Sequence, residues 1–370
     1  MKHLFALPAG TYLLSHSVGC PPAGSAEVLE QRFYAPWRRQ GGDVWTTWLE
    51  QIERFRTAVA GLLGASPAAI CPQVNLSSAL TKIIHGLPQQ PGRKRILLCE
   101  EDFPSLGFVA QAAQRTGLEP LFLPRDHDPQ DPQSWADALD ASVRLALVTH
   151  AFSNRSARLP VGEITALCAA RGITSIVDVA QTAGVVPIDV ARWDADFVIG
   201  SSVKFLCGGP GAGFLWAAPR AIAASQPVDV GWFSHEEPFE FDIHDFRYAP
   251  DARRFWGGTP AVAPYVQAAH SIETLLQVGV ERIHDHNQLL ISRAIDAVPA
   301  GCVASVSARQ RRGNALLLRV SDLPDAMARL RAASVFADSR NGCVRVSPHL
   351  YNDDADIEQL LRVIGPCLSP

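Results

Sequence analysis

The strongest chemical signal in the sequence is an aspartate followed by a lysine and then by a run of glycines. Asp178 lies in the apolar stretch TSIVDVA, and Lys204 lies between apolar residues in SSVKFLCGG, which leads into CGGPGAG. A lysine amine can form a Schiff base with an aldehyde, and a carboxylate can keep a pyridine nitrogen protonated. This pair therefore predicts a site for pyridoxal phosphate (PLP).

Each of these residues also has an interpretation without chemistry. Asp178 could cap a following helix, with Gln181 completing a capping box. Lys204 could be a surface lysine at the end of a strand. The glycines match neither a Walker loop nor a GxGxxG dinucleotide fingerprint, so nucleoside triphosphate and nicotinamide chemistry find no support.

The elements that must position these residues alternate between short apolar runs and helical patterns. A helix over 48–63 has a Thr47–Glu50 capping box and Gly64 as its stop. Further helices are expected over 105–117, 132–141 and 162–171, and strands over 95–99, 120–123, 144–150, 174–180, 196–202 and 212–217. This alternation predicts an α/β fold, a mostly parallel sheet sandwiched by helices, with ligands at the carboxyl ends of its strands.

Polar residues follow three of these strands. His150 and Ser153 come after the strand at 144–150, Asp178 and Gln181 after the next, and Ser201 and Ser202 shortly before Lys204. A phosphate could bind at the start of a helix over 71–80, through the amides of Gln73, Val74 or Asn75. An ordinary buried helix start explains that segment equally well. Gly258 and Thr259 add an open backbone and a hydroxyl before a helix that Pro260 would begin.

The chain divides into a large and a small domain. We expect an N-terminal segment (1–45) that packs with the small domain, a large PLP-binding domain (46–260), a connecting helix (261–289) and a smaller α+β C-terminal domain (290–370) that begins with a strand in CVASVSA. Residues 226–260 are rich in aromatic, histidine and acidic residues, which is typical of a functional loop.

Composition excludes several classes. A net charge of −4 over 370 residues argues against nucleic acid as a partner. Eight scattered cysteines without a CxxC pair predict neither a metal site nor a disulfide framework. No signal peptide and no apolar run of membrane-spanning length is apparent, so we expect a cytoplasmic protein without a membrane partner.

At this point the residues resemble a known family. The stretch SIVDVAQTAGVVPIDVARWDADFVIGSSVKFLCGGPGAGFLW is similar to the cofactor region of the class V aminotransferase superfamily, which are fold type I PLP enzymes. EDFPS (101–105), VGWFSHE (230–236), ARRFWGGTP (252–260) and VRVSPHLYN (344–352) resemble kynureninases in particular. With SHSVG (15–19), the resemblance spans nearly the whole chain.

The resemblance implies a role for each matching residue. Lys204 would be the Schiff-base lysine and general acid/base, Asp178 would pair with the pyridine nitrogen, and Phe103 would stack on the cofactor ring. Arg345 would bind the substrate carboxylate with two hydrogen bonds, although a salt bridge on a strand face is the alternative. Further cofactor contacts are expected from Gln73, Val74, Ser153, Gln181, Ser201, Trp232, Gly258 and Thr259, and substrate-binding walls from His16, Trp45, Trp232 and His235. Trp232 and Thr259 would come from the partner subunit of a homodimer whose active site lies at the interface.

Three positions depart from the kynureninase pattern. Gln181 stands where kynureninases usually have histidine. Val203 replaces the tyrosine that usually precedes the lysine, and Leu106 replaces the acid that usually follows FPS or FPT. Glutamine at the first position is typical of cysteine desulfurases. We therefore expect an enzyme that acts on an L-amino acid through an external aldimine, with kynureninase-like Cβ–Cγ hydrolysis releasing alanine as the first choice. Class V transamination, carbon–sulfur lyase or desulfurase-like chemistry, and a catalytically silent PLP-fold binding protein remain open.

Overall fold

A seven-stranded sheet forms the centre of the computed structural model, which describes all residues from 1 to 370. The strands in chain order are β1 (Thr11–Tyr12), β2 (Ile70–Gln73), β3 (Arg95–Leu98), β4 (Glu119–Phe122), β5 (Val143–Thr149), β6 (Thr174–Asp178), β7 (Phe197–Ser201), β8 (Gly213–Ala217), β9 (Leu316–Leu318), β10 (Val335–Phe336), β11 (Asp338–Arg340) and β12 (Cys343–Val346). The order across the large sheet is β2-β8-β7-β6-β5-β3-β4, and only β8 runs against the others. The predicted mostly parallel α/β sheet is confirmed.

Helices cover both faces of this sheet, which is why its strands are apolar along their length. They are α1 (Ser25–Leu29), α2 (Ala35–Gln40), α3 (Trp45–Leu63), α4 (Leu76–Gly86), α5 (Pro104–Ala112), α6 (Pro132–Ala138), α7 (Val161–Ala170), α8 (Val190–Trp193), α9 (Pro219–Ala224), α10 (Ala263–Val278), α11 (Val280–Ala297), α12 (Leu323–Ala332) and α13 (Asp354–Ile364). Every residue of the central strand β5 is buried. None of the helices combines the length and apolarity needed to cross a bilayer.

Helix α3 begins earlier than the sequence pattern indicates. A 3₁₀ turn over Gly41–Val44 leads directly into it, and its first residue has no side-chain cap. Thr47 lies inside the helix and donates a hydrogen bond to Gln40 Oε1 (3.1 Å). The expected capping box is therefore wrong, because the preceding turn already starts the helix. Gly64 ends it in the left-handed conformation, as predicted.

The segment at 71–80 contains a strand before its helix. Ile70–Gln73 pairs with β8 as an antiparallel strand, so Gln73 is not at a helix start. Asn75 is the N-cap of α4, and its side chain accepts the N–H of Ser78 (2.9 Å). The predicted helix start was wrong by about one turn, since the short apolar run ICP has the pattern of either element.

A second core lies among the C-terminal elements. Its 15 buried residues include Leu13 from the N-terminal segment, together with Leu290 and Ile291 of α11. β1 pairs with β10, and β11-β12-β9 form a small antiparallel sheet. The expected strand in CVASVSA is absent apart from a single bridge at Val303. There the hydroxyl of Ser305 accepts the N–H of Leu317 (3.1 Å), in place of a backbone ladder bond.

Candidate active site

Lys204 and Asp178 lie together at the carboxyl edge of the sheet. Asp178 ends β6, and Lys204 follows β7, the neighbouring strand. Burial lowers the pKa of Lys204, and the Asp178 charge acts in the opposite direction. Burial likewise raises the pKa of Asp178, and the Lys204 charge counters that rise. This mutual effect places the amine and the carboxylate within electrostatic reach of each other.

The Lys204 amine is available for chemistry. Its Nζ makes no hydrogen bond within the protein and lies 5.4 Å from the centre of the Phe103 ring. Asp178 Oδ1 accepts the N–H of Ala180 (2.8 Å), which leaves Oδ2 for another donor. No helix begins at Asp178, because the chain continues in turns. The capping interpretation therefore fails, and Gln181 instead donates to the carbonyl of His16 (3.2 Å).

A second carboxyl, Asp102, lies beneath the Phe103 position. Its Oδ1 accepts a hydrogen bond from Thr149 (2.5 Å), and its Oδ2 accepts the N–H of Cys99 (2.7 Å). Thr149 is the β5 residue opposite Asp178. Burial raises the pKa of Asp102 to about 7, and the charge of Asp178 adds to the shift. Asp102 thus fixes the turn that carries Phe103, a role the sequence did not suggest.

His150 does not face this edge, contrary to the expectation that it would join the site. Side chains alternate along a strand, so Thr149 faces Asp102 and His150 points to the opposite layer. Its Nδ1 lies 2.9 Å from the Thr182 hydroxyl, and its ring stands edge-on to Trp193. Burial lowers the pKa of His150 to about 3, which keeps it neutral.

Arg345 is held in a fixed orientation. It lies on β12 opposite Asp338 of β11, which accepts from its Nε (2.9 Å) and Nη2 (2.5 Å). Its Nη1 donates to the carbonyl of Ser153 (2.6 Å), so Ser153 acts here through its backbone. The salt bridge considered from the sequence is therefore present. One N–H on each of Nη1 and Nη2 has no partner in the protein, and two such donors suit a carboxylate.

His16 supports this pair from behind. Its Nε2 lies 2.9 Å from Asp338 Oδ1, and its Nδ1 lies 2.7 Å from the Ser347 hydroxyl. The backbone N–H of His16 donates to the same hydroxyl oxygen of Ser347. The Ser347 hydroxyl can therefore donate its own proton to Nδ1, and Nε2 carries the ring N–H that donates to Asp338. Burial lowers the pKa of His16 to about 4, so the ring is neutral. Both ring nitrogens are occupied within the protein.

The SHSVG segment supports the lysine turn. Gly19 donates its N–H to the carbonyl of Val203 (2.8 Å). A Cβ at Gly19 would lie 2.2 Å from the carbonyl oxygen of Lys204 and 2.6 Å from Cys207 Sγ. Only glycine permits this close approach, which explains why the segment matters to the site.

The remaining predicted cofactor residues form a separate group. Gln73, Val74, Gly258 and Thr259 line a cavity of about 180 Å³ that neither Lys204 nor Asp178 lines. Trp232 Nε1 donates to the Thr259 hydroxyl (3.3 Å), and the Trp45 ring stands edge-on to Trp232 at 5.9 Å. His235, the other expected pocket wall, lines a neighbouring cavity of about 350 Å³ together with Trp232. Its Nδ1 accepts the N–H of Glu237 (2.9 Å), and its Nε2 donates to the carbonyl of Asp245 (2.9 Å).

PLP fits the residues around Lys204. The hydroxyl of Ser202 is fully buried and has no hydrogen-bond partner, so it can donate to a phosphate oxygen. Ser201 is the adjacent, half-buried end of β7. An unpartnered amine, a carboxylate oxygen without a donor and an aromatic face complete the set that the aldehyde, the ring nitrogen and the ring of PLP require.

Comparison with known proteins agrees with this geometry. The family model described as aminotransferase class-V matches residues 26–317. A kynureninase of Deinococcus radiodurans is 33% identical over 269 residues, 70% of this chain and 64% of its own length. A kynureninase of Burkholderia pseudomallei (strain K96243) is 26% identical over 92% of this chain and 84% of its own. An uncharacterised aminotransferase of Bacillus subtilis, YcbU, is 26% identical over 88% of this chain and 86% of its own.

Solved structures support the same fold. The cystine C–S lyase C-DES, in complex with cysteine persulfide, superimposes with a TM-score of 0.88 at 22% identity and covers 98% of this chain and 99% of its own. A cysteine desulfurase from Thermococcus onnurineus NA1 gives a TM-score of 0.83 at 21% identity, over 96% of this chain and 94% of its own. At these identities the likeness extends to the fold alone.

Proposed function

Because the chain belongs to the class V aminotransferase family of PLP-dependent enzymes, we propose that it hydrolyses the Cβ–Cγ bond of a kynurenine-like L-amino acid and releases alanine. The observation that carries the proposal is the unpartnered Lys204 amine between Asp178 and the Phe103 ring, next to an oriented Arg345. The kynureninase relatives support the choice of reaction.

PLP, when bound, supplies an electron sink for the pair left on Cα after deprotonation. Asp178, whose Oδ2 accepts no hydrogen bond within the protein, would hold the proton on the pyridine nitrogen. Burial lowers the pKa of Lys204 while the Asp178 charge opposes this, and the Lys204 amine would accept the Cα proton. The Phe103 ring lies 5.4 Å from the Lys204 amine and would stack on the ring of bound PLP.

Arg345 orients the substrate. Asp338 and the Ser153 carbonyl fix the guanidinium, and its two remaining N–H groups bind the α-carboxylate. Hydrogen bonds from Arg345 and His16 outweigh burial and hold the pKa of Asp338 well below its usual range, so it stays ionised. The amino acid is therefore bound with Cα toward Lys204 and its side chain toward the open part of the site.

The net reaction consumes one water. Its hydroxyl ends on Cγ, which leaves as a carboxylic acid, and its proton ends on Cβ, which leaves as the methyl group of alanine. Val203 cannot move protons as a tyrosine could, so this chemistry must rely on other donors near Lys204. That substitution, together with the YcbU relative, favours transamination as the second candidate.

The proposal includes a homodimer. The loop carrying Trp232 exposes a contiguous set of large apolar side chains, with Phe241 75% and Ile243 90% exposed. Patches of this kind mark interaction surfaces. Thr259 and Trp232 do not reach the Lys204 group of their own chain, so a second copy that covers this loop would receive them at its site.

The test is an absorbance spectrum of the purified, PLP-loaded protein before and after addition of L-kynurenine, with anthranilate fluorescence followed in parallel. Anthranilate and alanine in equal amounts are the expected result. A shifted cofactor band without anthranilate, followed by a keto acid, would replace hydrolysis with transamination. A protein with no cofactor band after incubation with PLP would overturn the whole proposal.

A further inference from the structure

A second arginine lies beside Arg345 on the same face of the small sheet. Arg340 ends β11, two residues after Asp338, so both side chains leave the strand on the same side. Asp338 is directly opposite Arg345 and binds it with both oxygens. All three side chains therefore belong to the face that contacts Ser153 and His16 at the substrate side of the site.

Arg340 differs from Arg345 in having no partner. Its guanidinium makes no hydrogen bond and no salt bridge, and its Nε is buried without an acceptor. A buried N–H that loses water and gains no acceptor costs free energy, so an unpartnered one points to a missing ligand. The Arg340 charge is also felt at Lys204, where burial, the larger cause, and the two arginines lower the amine pKa.

We propose that Arg340 binds the oxygen on Cγ of the substrate, whether a ketone carbonyl or a carboxylate, while Arg345 binds the α-carboxylate. This inference rests on the proposed function and names its substrate class, L-amino acids whose Cγ carries a doubly bonded oxygen. Arg345 is already committed to Asp338 and Ser153, so its two remaining donors serve one carboxylate. Arg340 is a separate cation with all of its donors available.

This position suits the reaction. When water adds to Cγ, the carbonyl oxygen gains negative charge, which a neighbouring guanidinium stabilises. The Cβ–Cγ bond then breaks with its electron pair going to Cβ, and Cβ takes up the proton that the water released. Arg340 stays protonated throughout and acts by donating hydrogen bonds to this oxygen.

Two probes with the same four-carbon chain test the inference by binding, read from the absorbance of the PLP-loaded protein. L-Aspartate has a carboxylate at Cγ, and L-2-aminobutyrate has a methyl group there. We expect aspartate to bind about 10- to 100-fold more tightly, the range for a hydrogen bond to a charged group. Arg340→Gln should abolish that preference and leave the affinity for aminobutyrate within about twofold. L-Kynurenine, bound to the same variants, distinguishes a ketone from an acid as the preferred group.

Arg345→Gln is the matched control, and it should weaken both probes because both carry the α-carboxylate. Arg340→Lys should retain part of the preference. Equal binding of the two probes by the wild type, or an equal loss of both in Arg340→Gln, would overturn the inference. The inference would also be overturned if Arg340→Gln kept the preference for aspartate and its dimer dissociated on sedimentation. That result would mean that Arg340 pairs with the second copy of the chain. A protein that never forms the PLP band fails earlier, at the proposed function itself.

Discussion

Two groups of site residues differ in how completely one chain builds them. Around Lys204, two charged groups are fixed by partners within the chain: Asp102 is held by Thr149 and Cys99, and Arg345 is held by Asp338. Around Trp232 and Thr259, in contrast, a single side-chain bond of 3.3 Å joins the two residues, and aromatic rings extend into solvent. The first group is held in place within the protomer, whereas the second is the part that the proposed second copy would cover.

The difference follows from the elements that carry each group. Strand ends and the turns between them are fixed by the sheet and its helices, whereas residues 226–260 contain only two short 3₁₀ turns, Trp232–Ser234 and Ala252–Phe255. Packing inside the protomer fixes the residues around Lys204. The positions of Trp232 and Thr259 depend on the surface that contacts their loop. Substitutions should therefore act within one subunit in the first group and across subunits in the second.

Lys204→Ala should have the largest effect. The loss of the Schiff-base amine and of the proton acceptor should lower turnover by at least about 10³-fold, the central range for a general base. The visible band of the covalently bound cofactor should vanish, and any PLP that binds should be removed by dialysis. Thr259→Ala, from the second group, serves as the contrast and should keep the band with weaker cofactor retention. A covalent band that persists in Lys204→Ala would remove this lysine from the centre of the site.

A mixture of the two variants tests the second group directly. If Thr259 serves the partner's site, a mixed dimer of Lys204→Ala and Thr259→Ala contains one intact site. When the assay uses a PLP concentration too low to load Thr259→Ala homodimers, equal amounts that exchange freely should recover about one quarter of the wild-type activity, because half of the dimers are mixed and each has one good site. Activity measured before and after subunit exchange checks this. No recovery, with exchange shown by sedimentation of tagged subunits, would place Thr259 in its own protomer's site or outside it.

Gly19→Ala should disturb the first group without touching a reacting residue. The new methyl group would lie 2.2 Å from the Lys204 carbonyl oxygen, so the turn must shift. Overpacking of this kind costs about 1–3 kcal/mol of unfolding free energy, measured by urea unfolding. Gly107→Ala in α5 is the matched control, because nothing lies within 4 Å of its new Cβ, and a helical alanine should be neutral or slightly stabilising. Equal stability of the two variants would contradict the close packing at Gly19.

The sequence predicted the residues that end apolar strands and missed those whose position depends on pairing. Lys204 and Asp178 follow long buried runs, so topology alone brings them together. Asp338 and Arg340 lie in DSR, which shows no apolar alternation. The missed signal was Asn341-Gly342, the hairpin dipeptide. Both residues have positive φ (52° and 77°), and the turn sets Asp338 opposite Arg345.

Strand parity limited the prediction in the same way. A one-residue difference decides whether Thr149 or His150 faces the cofactor, and a buried strand without polar alternation does not reveal which. The second group was harder still, because under the proposed homodimer the position of Trp232 and Thr259 relative to Lys204 depends on a partner surface. No pattern within one chain encodes that surface directly.

The last prediction concerns the pH dependence of stability in Asp102→Asn, which changes no group that contacts the substrate. Burial raises the pKa of Asp102 to about 7 in the folded protein, above its value of about 3.9 in an unfolded chain. Between these values the folded state keeps a proton that the unfolded state has lost, so stability from this group falls as pH rises from about 4 to about 7. The unfolding free energy of the wild type minus that of the variant should decline over this window and level off above it, as measured by urea unfolding at each pH.

The buried histidines do not obscure this measurement. His16, His150 and His349 have pKa values lowered by burial to about 4, 3 and 4, so each makes the protein more stable as pH rises toward 6.5. Because both proteins contain them, their contribution cancels in the difference. A difference that is flat with pH would mean that Asp102 is ionised throughout, and the carboxyl beneath Phe103 would then be a second fixed negative charge beside Asp178.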